Sequence, residues 1–171
     1  MKVTDYCPRA AFMDTKLTGN DLIGIEVGCD VGAHAEALLT YSNIKTLTVV
    51  DLWQNEWCEG YCKGRLSRFG NVTFVKGTSH NASTKFDTQF DFIYIDISHD
   101  SETVKESLND WWPLLKVGGV MGYRNYTTCK KEIDNFIVDE KHEISNYHNF
   151  IVDKKHEISS YHNEIVIWKE K

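Results

Sequence analysis

Two glycines and two acidic residues lie close together where an apolar stretch ends, in the segment IEVGCDVGAH at residues 25–34. The spacing of Gly28 and Gly32 is typical of a tight strand-to-helix turn at which a ligand approaches the backbone. A dinucleotide-binding turn would carry a further glycine where this chain has Asp30, and that carboxylate would repel a pyrophosphate. No lysine follows the second glycine, so the segment is not a phosphate-binding P-loop either. Together, Glu26 and Asp30 favour a ligand that carries positive charge.

A further carboxylate, Asp51, ends the second apolar stretch. In nucleotide-binding α/β proteins, an acidic residue at this position binds a ribose. A ligand with a ribose and a cationic end, but without a pyrophosphate, would suit these acidic residues. S-adenosylmethionine fits that description, because its ammonium and sulfonium groups suit the acidic turn and its ribose suits Asp51. The residues therefore predict an S-adenosylmethionine site and disfavour a nicotinamide-dependent oxidoreductase.

The apolar pattern predicts the elements that position these residues. Short apolar runs predict strands at 22–28, 45–53, 71–77, 90–98 and 116–126. Helical spacing predicts helices at 33–42, 56–69 and 101–115. Strands that alternate with helices indicate parallel pairing, because parallel neighbours need a crossover connection. The predicted fold is an α/β protein with a doubly wound sheet.

The composition is that of a single domain that spans residues 1–171. The net charge of -6 argues against a nucleic-acid partner, which would require a basic face. No apolar run reaches membrane-spanning length, and the first residues lack the apolar core of a signal peptide. We therefore expect a cytoplasmic protein without a membrane partner. The odd number of cysteines, 5 in all, predicts reduced thiols.

The C-terminal part contains a tandem duplication at residues 135–162. Its two copies, 135–148 and 149–162, are identical at twelve of fourteen positions. Two copies this short cannot form a repeat array. We interpret the surplus copy as an addition to a complete fold, which either lengthens a helix or adds a strand pair at the sheet edge. We attribute its repeated histidines to copying, and we expect deletion of 149–162 to leave a folded protein.

Four segments, taken in order, resemble the class I S-adenosylmethionine-dependent methyltransferases: IGIEVGCDVGAH, TVVDLW, NVTFVKGTSHNA and FDFIYIDISHDSETVKESLNDWWPLLKVGGVM. The resemblance is strongest to the methyltransferase domain 24 family, which is related to sugar and small-molecule O-methyltransferases. It implies a Rossmann-like, seven-stranded, mostly parallel sheet with a C-terminal antiparallel strand, formed here by NEIVIWK. It also implies methyl transfer to a small molecule, with O-methylation expected.

The resemblance assigns the cofactor-binding residues to the ends of the first four strands, namely Glu26, Gly28, Gly32, Asp51, Leu52, Ser79 and Asp96. The first three would hold the methionine end of the cofactor. Asp51 would bind the ribose hydroxyls, with Leu52 and Trp53 near the adenine and the serine beside it. Asp96 and His99, at the tip of the fourth strand, would face the transferable methyl group and act as the catalytic residues.

The segment GGVMGYRNY departs from the resemblance, since many relatives carry Gly-His-Asp where this chain has Tyr123, Arg124 and Asn125. Metal-using relatives hold a magnesium-like ion with carboxylate and amide oxygens at this edge. Here Asp96 and Asn125 are the evident oxygen ligands, and the charge of Arg124 would disfavour a divalent cation. We therefore expect no metal, and we expect His99 to be the base because an imidazole ordinarily titrates near neutral pH. Arg124 would instead suit a carboxylate or phosphate of the acceptor.

Three functions are compatible with the sequence. We favour a small-molecule methyltransferase over a nicotinamide-dependent oxidoreductase, and the altered YRNY segment leaves open a module that binds the cofactor without catalysis. The chain shows no inserted lid or separate substrate domain. The acceptor pocket is therefore expected from the N-terminal segment, the loops after the fourth and fifth strands, or a second subunit of a homo-oligomer.

Overall fold

The computed structural model describes residues 21–139, 147–148 and 164–169. The strands are β1 (Leu22–Val27), β2 (Ile44–Asp51), β3 (Val72–Lys76), β4 (Phe90–Ile95), β5 (Leu115–Arg124), β6 (Tyr147–His148) and β7 (Glu164–Trp168). The helices are α1 (Ala33–Tyr41), α2 (Glu56–Leu66), α3 (Ser79–Ser83), α4 (Ser101–Trp111) and α5 (Tyr126–Asp139). None of these helices combines the length and the apolar character that a bilayer crossing requires.

The strands form one sheet in the order β3-β2-β1-β4-β5-β7-β6. All neighbouring pairs from β3 to β5 are parallel. This arrangement confirms the predicted Rossmann-like, doubly wound α/β class. The chain leaves β1 toward β2 on one side and later returns to β4 on the other. A crevice for ligands is expected at that reversal, outside the carboxyl ends of the strands.

The C-terminal segment extends the sheet beyond its five parallel strands. β7 pairs antiparallel with β5, from Val120 opposite Trp168 to Arg124 opposite Glu164. β6 pairs antiparallel with β7 and contains only 2 residues. The first copy of the duplication begins inside α5 and ends at β6, whereas the second copy, 149–162, lies outside the described residues.

Two layers of apolar side chains cover the faces of the sheet, because successive residues of a strand point to opposite sides. One layer packs β1, β4 and β5 against α4 and α5, and includes the fully buried Ile25, Ile93 and Trp111. The other packs β1, β2 and β4 against α1 and α2, and includes Leu38 and Cys62. With both faces covered, the strands read as apolar runs rather than as an alternating pattern.

The sequence missed α3, predicted a helix before the C-terminal strands without giving bounds for α5, and placed the end of the helix predicted at 101–115 too late. α3 contains only 5 residues, which is too short for helical periodicity to appear. α4 ends at Trp111 and continues as a short 3₁₀ helix, Trp112–Leu114. Pro113 explains this early end, because proline has no backbone N–H to donate and its ring crowds the preceding turn.

Candidate functional site

A cavity of about 380 Å³ opens at the carboxyl ends of β1 to β4. Its wall is formed by Val27, Gly28, Val50, Asp51, Leu52, Gly77, Thr78, Ser79, His80, Asp96, Ile97, Ser98, Thr103 and Glu106. Most of the predicted cofactor-binding residues are therefore brought together here. Three predicted site residues are not part of this wall: Glu26, Gly32 and His99.

The two glycines of the β1 turn are required by close contacts within the protein. Gly28 has a φ of +90°, and a Cβ at this position would lie 1.8 Å from the carbonyl oxygen of Asp96. Gly32 has a φ of +75°, and its Cβ would lie 2.9 Å from the Sγ atom of Cys62. Gly28 thus lets the turn pass against the end of β4 at the cavity wall. Gly32 allows α1 and α2 to pack closely.

The carboxylate of Asp51 is held by backbone amides of the surrounding loops. Its Oδ2 atom accepts a hydrogen bond from the amide of Asp30 at 2.8 Å, and its Oδ1 atom accepts one from the amide of Trp53 at 2.8 Å. The indole of Trp53 donates to the carbonyl oxygen of Asp30 at 2.9 Å and closes the arrangement. Asp30 and Trp53 both have positive φ, at 46° and 39°. The two loops therefore fix Asp51 at the cavity wall.

The structure separates Leu52 from Trp53, which the resemblance placed together near the adenine. Leu52 is 46% exposed and lines the cavity. Trp53 is only 3% exposed, and its ring packs against Phe74 with the centroids 6.4 Å apart. The expectation for Trp53 was therefore wrong, because its indole points into the core and supports the loop instead of facing a ligand.

Glu26 lies behind the turn in a chain of buried polar side chains. Its Oε1 atom is 3.1 Å from Nδ1 of His34, whose ring centroid is 4.1 Å from that of Tyr94. The hydroxyl of Tyr94 donates to Oε1 of Glu164 at 2.6 Å. Burial, with the nearby Glu164 carboxylate, raises the pKa of Tyr94 well above its ordinary value, so the phenol remains a donor. Among the described atoms, the second oxygen of Glu26 is buried without a hydrogen-bond partner.

Three members of this chain, His34, Tyr94 and Glu164, were missed by sequence reasoning. The available signal was weak, because His34 is a lone imidazole in the first turn of α1. Glu164 opens β7 and meets Tyr94 across a separation of 70 residues. Such a contact depends on the register of β7 and is not visible in the local sequence.

The wall formed by α3 and α4 carries several polar side chains. Ser79 accepts a hydrogen bond from the indole of Trp111 at 2.8 Å, which joins the two helices. Nδ1 of His80 lies 2.9 Å from Asp110 and 3.8 Å from Glu106. The hydrogen bond to Asp110, and then the charges of Asp110 and Glu106, raise the pKa of His80 above its ordinary value. A cationic imidazole is therefore favoured beside these carboxylates.

Two side-chain pairs lie at the ends of β4 and β5. Nη1 of Arg124 donates to Oδ2 of Asp96 at 2.6 Å. Nδ2 of Asn125 lies 2.5 Å from Nε2 of His99, and Asn125 has a φ of 57°. Asp96 lines the cavity, whereas His99 directly follows the lining residue Ser98 and is not itself part of the wall. The arrangement offers an imidazole and a half-buried guanidinium next to the cavity, which suits a polar or anionic acceptor.

Residues 23–126 match a family model described as a methyltransferase domain. No curated protein matches the chain. These residues include the β1 turn, the end of β2, the α3 and α4 wall and both side-chain pairs. The match therefore covers every feature of the site except the C-terminal Glu164.

Three solved structures illustrate the similarity of the fold. An rRNA methylase from Streptococcus thermophilus has a TM-score of 0.71 and 14% identity, with 96% of this chain and 95% of that chain covered. Precorrin-6y C5,15-methyltransferase from Geobacter metallireducens GS-15 has a TM-score of 0.69 and 16% identity, with 94% and 87% covered. The N-methyltransferase NodS from Bradyrhizobium japonicum WM9, in complex with S-adenosyl-L-homocysteine, has a TM-score of 0.67 and 17% identity, with 98% and 91% covered. At these identities the likeness concerns the fold alone.

Proposed function

Because the chain belongs to the methyltransferase domain family, a family of S-adenosylmethionine-dependent enzymes, we propose that it methylates a small molecule at a hydroxyl oxygen. The observation that carries the proposal is the cavity wall, where Gly28, Asp51, Leu52, Ser79 and Asp96 meet. The net charge of -6 supports a small acceptor over a nucleic acid, whose phosphates would require a basic face.

The cofactor side of the site suits S-adenosylmethionine, which supplies an electrophilic methyl group on a sulfonium when it is bound. The carboxylates of Asp51 and Asp96 face the cavity and favour a cationic ligand. Each oxygen of Asp51 accepts one backbone N–H, which leaves acceptor capacity for ribose hydroxyls. Glu26 is buried behind the turn and outside the cavity wall, and its second oxygen has no hydrogen-bond partner among the described atoms. We propose that this oxygen supports the methionine end.

On the acceptor side, the chain's contribution is mainly to position the reacting atoms. Methyl transfer is an in-line displacement, so alignment can account for several kcal/mol of the barrier, on the order of 7–11 in favourable cases. In the observed arrangement, Nε2 of His99 accepts a hydrogen bond from the amide of Asn125. We propose that the acceptor hydroxyl displaces this amide and donates to the same nitrogen. His99 then takes the proton as general base, and Asp96 holds Arg124 beside the acceptor.

The residues at the ends of β4 and β5 do not suit a divalent cation. Arg124 already pairs with the carboxylate of Asp96, and its fixed positive charge would repel a second cation nearby. The amide of Asn125 is turned toward His99. We therefore derive no step through a metal ion. The guanidinium instead supplies positive charge for a carboxylate or phosphate of the acceptor.

The proposal is tested first by ligand binding. S-adenosylhomocysteine should raise the melting temperature, since a ligand at a hundred times its dissociation constant adds about 2.7 kcal/mol to the free energy of unfolding. NAD should have little effect in the same assay. Stabilisation by NAD that equals or exceeds that by S-adenosylhomocysteine would contradict the assignment and favour the oxidoreductase alternative.

Methyl transfer is then measured from labelled cofactor to a panel of sugars, phenols and amines, with magnesium or with EDTA. We expect methyl transfer to a hydroxyl acceptor, and we expect this activity to be retained in the presence of EDTA. Strict dependence on magnesium would overturn the metal-free arrangement and return Asp96 and Asn125 to the role of ligands. Binding of S-adenosylhomocysteine without transfer to any acceptor would favour a module that binds the cofactor without catalysis.

We further propose a cytoplasmic location and a small-molecule partner. The described cysteines, Cys29, Cys58, Cys62 and Cys129, are free thiols, which agrees with a reducing compartment. We also propose that a second copy of the chain completes the acceptor pocket. Size-exclusion chromatography with light scattering would reveal such a homo-oligomer.

A further inference from the structure

The outward face of α2 carries two large aromatic side chains to which the proposed function assigns no role. Trp57 is 61% exposed and Tyr61 is 52% exposed. Their rings lie against each other, with the centroids 4.7 Å apart. The helix is held to the sheet by other residues, since the buried Cys62 and Leu66 point inward and pack in the core. Two adjacent exposed aromatic rings are typical of a surface that contacts another protein.

Two glycines lie within the same helix, next to these rings. Gly60 and Gly64 occupy interior positions of α2, where glycine is less favourable than alanine. Apart from their chain neighbours and the backbone of the helix, no heavy atom of the described residues lies within 4 Å of the positions that their Cβ atoms would take. The glycines leave a groove of about 450 Å³, lined by Gly60, Tyr61, Gly64 and Arg65. They therefore suit the close approach of a partner, because packing within the described chain does not require them.

The charges of α2 indicate which partner fits this face. Two acidic residues, Glu56 and Glu59, lie in its first turn, and two basic residues, Lys63 and Arg65, lie in its last turn. Two copies of such a helix attract each other when they run antiparallel, because each acidic turn then faces a basic turn. The face is therefore complementary to a second copy of itself, as the contact of a twofold-symmetric dimer has to be.

We propose that α2 is a contact surface between two copies of this chain, which pack antiparallel about a twofold axis. When Trp57 of each copy lies opposite Gly64 of the other, the antiparallel register also brings Tyr61 opposite Gly60. Each large ring then fills the space that a glycine leaves open. The axis repeats both contacts, so that the four aromatic rings of the dimer are covered together.

The same register brings Glu56 opposite Arg65, so the charges at the two ends of the helix match as well. This contact is separate from the acceptor side of the molecule. α2 connects β2 to β3 at one edge of the strand order, whereas Arg124 and His99 lie at the ends of β4 and β5. The inference is also independent of the proposed function, because no ligand takes part in the contact.

The test measures the mass of the full chain by size-exclusion chromatography with light scattering over a range of concentrations. The unmodified protein should have at least twice the mass of a single chain. Trp57→Ala should raise the dissociation constant by at least about 30-fold, the usual consequence of losing a central aromatic residue of an interface. Gly64→Gln should also weaken association, because its side chain fills the groove. Within its own chain that side chain enters open space and favours the helix.

Gly70→Gln is the matched control, since Gly70 also faces open space but lies beyond the end of α2. It should associate as the unmodified protein does. An unmodified protein with the mass of a single chain at every concentration would overturn the inference. Association that either α2 variant leaves unchanged would overturn it too, and would assign the assembly to another surface such as the acceptor side. Thermal melting shows that each variant retains its fold, and binding of S-adenosylhomocysteine reports separately on the proposed function.

Discussion

The two halves of the crevice are held together by different kinds of contact, one mainly by backbone groups and the other by side chains. At the ends of β1 and β2, backbone groups make the contacts: amides bind Asp51, and Gly28 packs against the carbonyl oxygen of Asp96. At the ends of β4 and β5, side chains pair with side chains, as Arg124 does with Asp96 and Asn125 with His99. A contact made by backbone fixes the shape of a turn. A side-chain pair can exchange its partner for a ligand.

This difference suits two separate tasks, cofactor binding at the ends of β1 and β2 and acceptor binding at the ends of β4 and β5. The cofactor presents the same ribose and the same cationic end in every cycle, so a fixed turn suits it. The acceptor has to arrive, lose a proton and leave, and polar side chains at the surface can rearrange for each step. We therefore expect substitutions in the first half to change stability and cofactor affinity together. Substitutions of His99, Asn125 or Arg124 in the second half should change turnover with little effect on stability or on cofactor affinity.

The largest effect is expected from Gly28→Ala. The added Cβ would lie 1.8 Å from the carbonyl oxygen of Asp96, and the φ of +90° is unfavourable for alanine. Backbone strain and overpacking together should lower the free energy of unfolding by about 2–6 kcal/mol and abolish binding of S-adenosylhomocysteine. Urea denaturation and thermal shift measure the two effects.

Gly118→Ala is the control for that prediction. Gly118 has a φ of +80°, but beyond its chain neighbours no heavy atom of the described residues lies within 4 Å of the position that a Cβ would take. Its substitution should cost only the backbone strain, about 1–2 kcal/mol. Equal losses of unfolding free energy in the two variants would show that the close contact between Gly28 and the end of β4 adds nothing to the cost of the substitution.

On the acceptor side, His99→Ala should lower turnover by about 10²–10⁴-fold, the usual consequence of losing a general base. The affinity for S-adenosylhomocysteine should stay nearly unchanged, because His99 is not part of the cavity wall. Asn125→Ala is the matched variant, since it removes the partner of His99 and keeps the imidazole. Full turnover in His99→Ala would remove this residue as the base.

A smaller effect is expected from Asp51→Ala, which should weaken binding of S-adenosylhomocysteine by about 1–3 kcal/mol as ribose hydroxyls lose a charged acceptor. Its stability should fall as well, because the amides of Asp30 and Trp53 lose their acceptor. Asp51→Asn keeps one acceptor oxygen and should therefore lose less affinity and less stability than Asp51→Ala. Unchanged affinity in Asp51→Ala, measured by calorimetric titration, would mean that the ribose binds elsewhere.

The smallest effect concerns the side-chain pair of His80 and Asp110 at the cavity wall. The hydrogen bond to Asp110 raises the pKa of His80 above its ordinary value of 6.5. The associated stability is therefore fully present below pH 6.5 and is lost as the pH rises through the folded-state pKa. NMR titration should show the raised pKa, and Asp110→Asn should bring it back toward 6.5. The stability difference between the two proteins should be larger at low pH than at high pH, and the opposite trend would exclude this pairing in solution.

The sequence predicted the sheet and the site where local pattern was sufficient. The first five strands and the helices α1, α2 and α4 follow from apolar periodicity, which depends only on neighbouring residues. Gly28, Asp51 and Asp96 follow from their position at strand ends, because parallel strands bring their carboxyl ends to one edge. The short helix α3 and the inward orientation of the Trp53 side chain could not be predicted from the local pattern. A helix of 5 residues shows no period, and a rotamer depends on the space around it.

By itself, the sequence determined the order of the first five strands and of α1, α2 and α4, together with the glycine turn and the acidic strand ends, since these are local properties of the chain. The tertiary structure alone decided which of these groups meet. Arg124 reaches Asp96 only because β4 and β5 pair with Ile95 opposite Tyr123. Glu164 reaches Tyr94 only because β7 runs antiparallel beside β5. Contacts between distant segments depend on register and packing, which no short stretch of sequence contains.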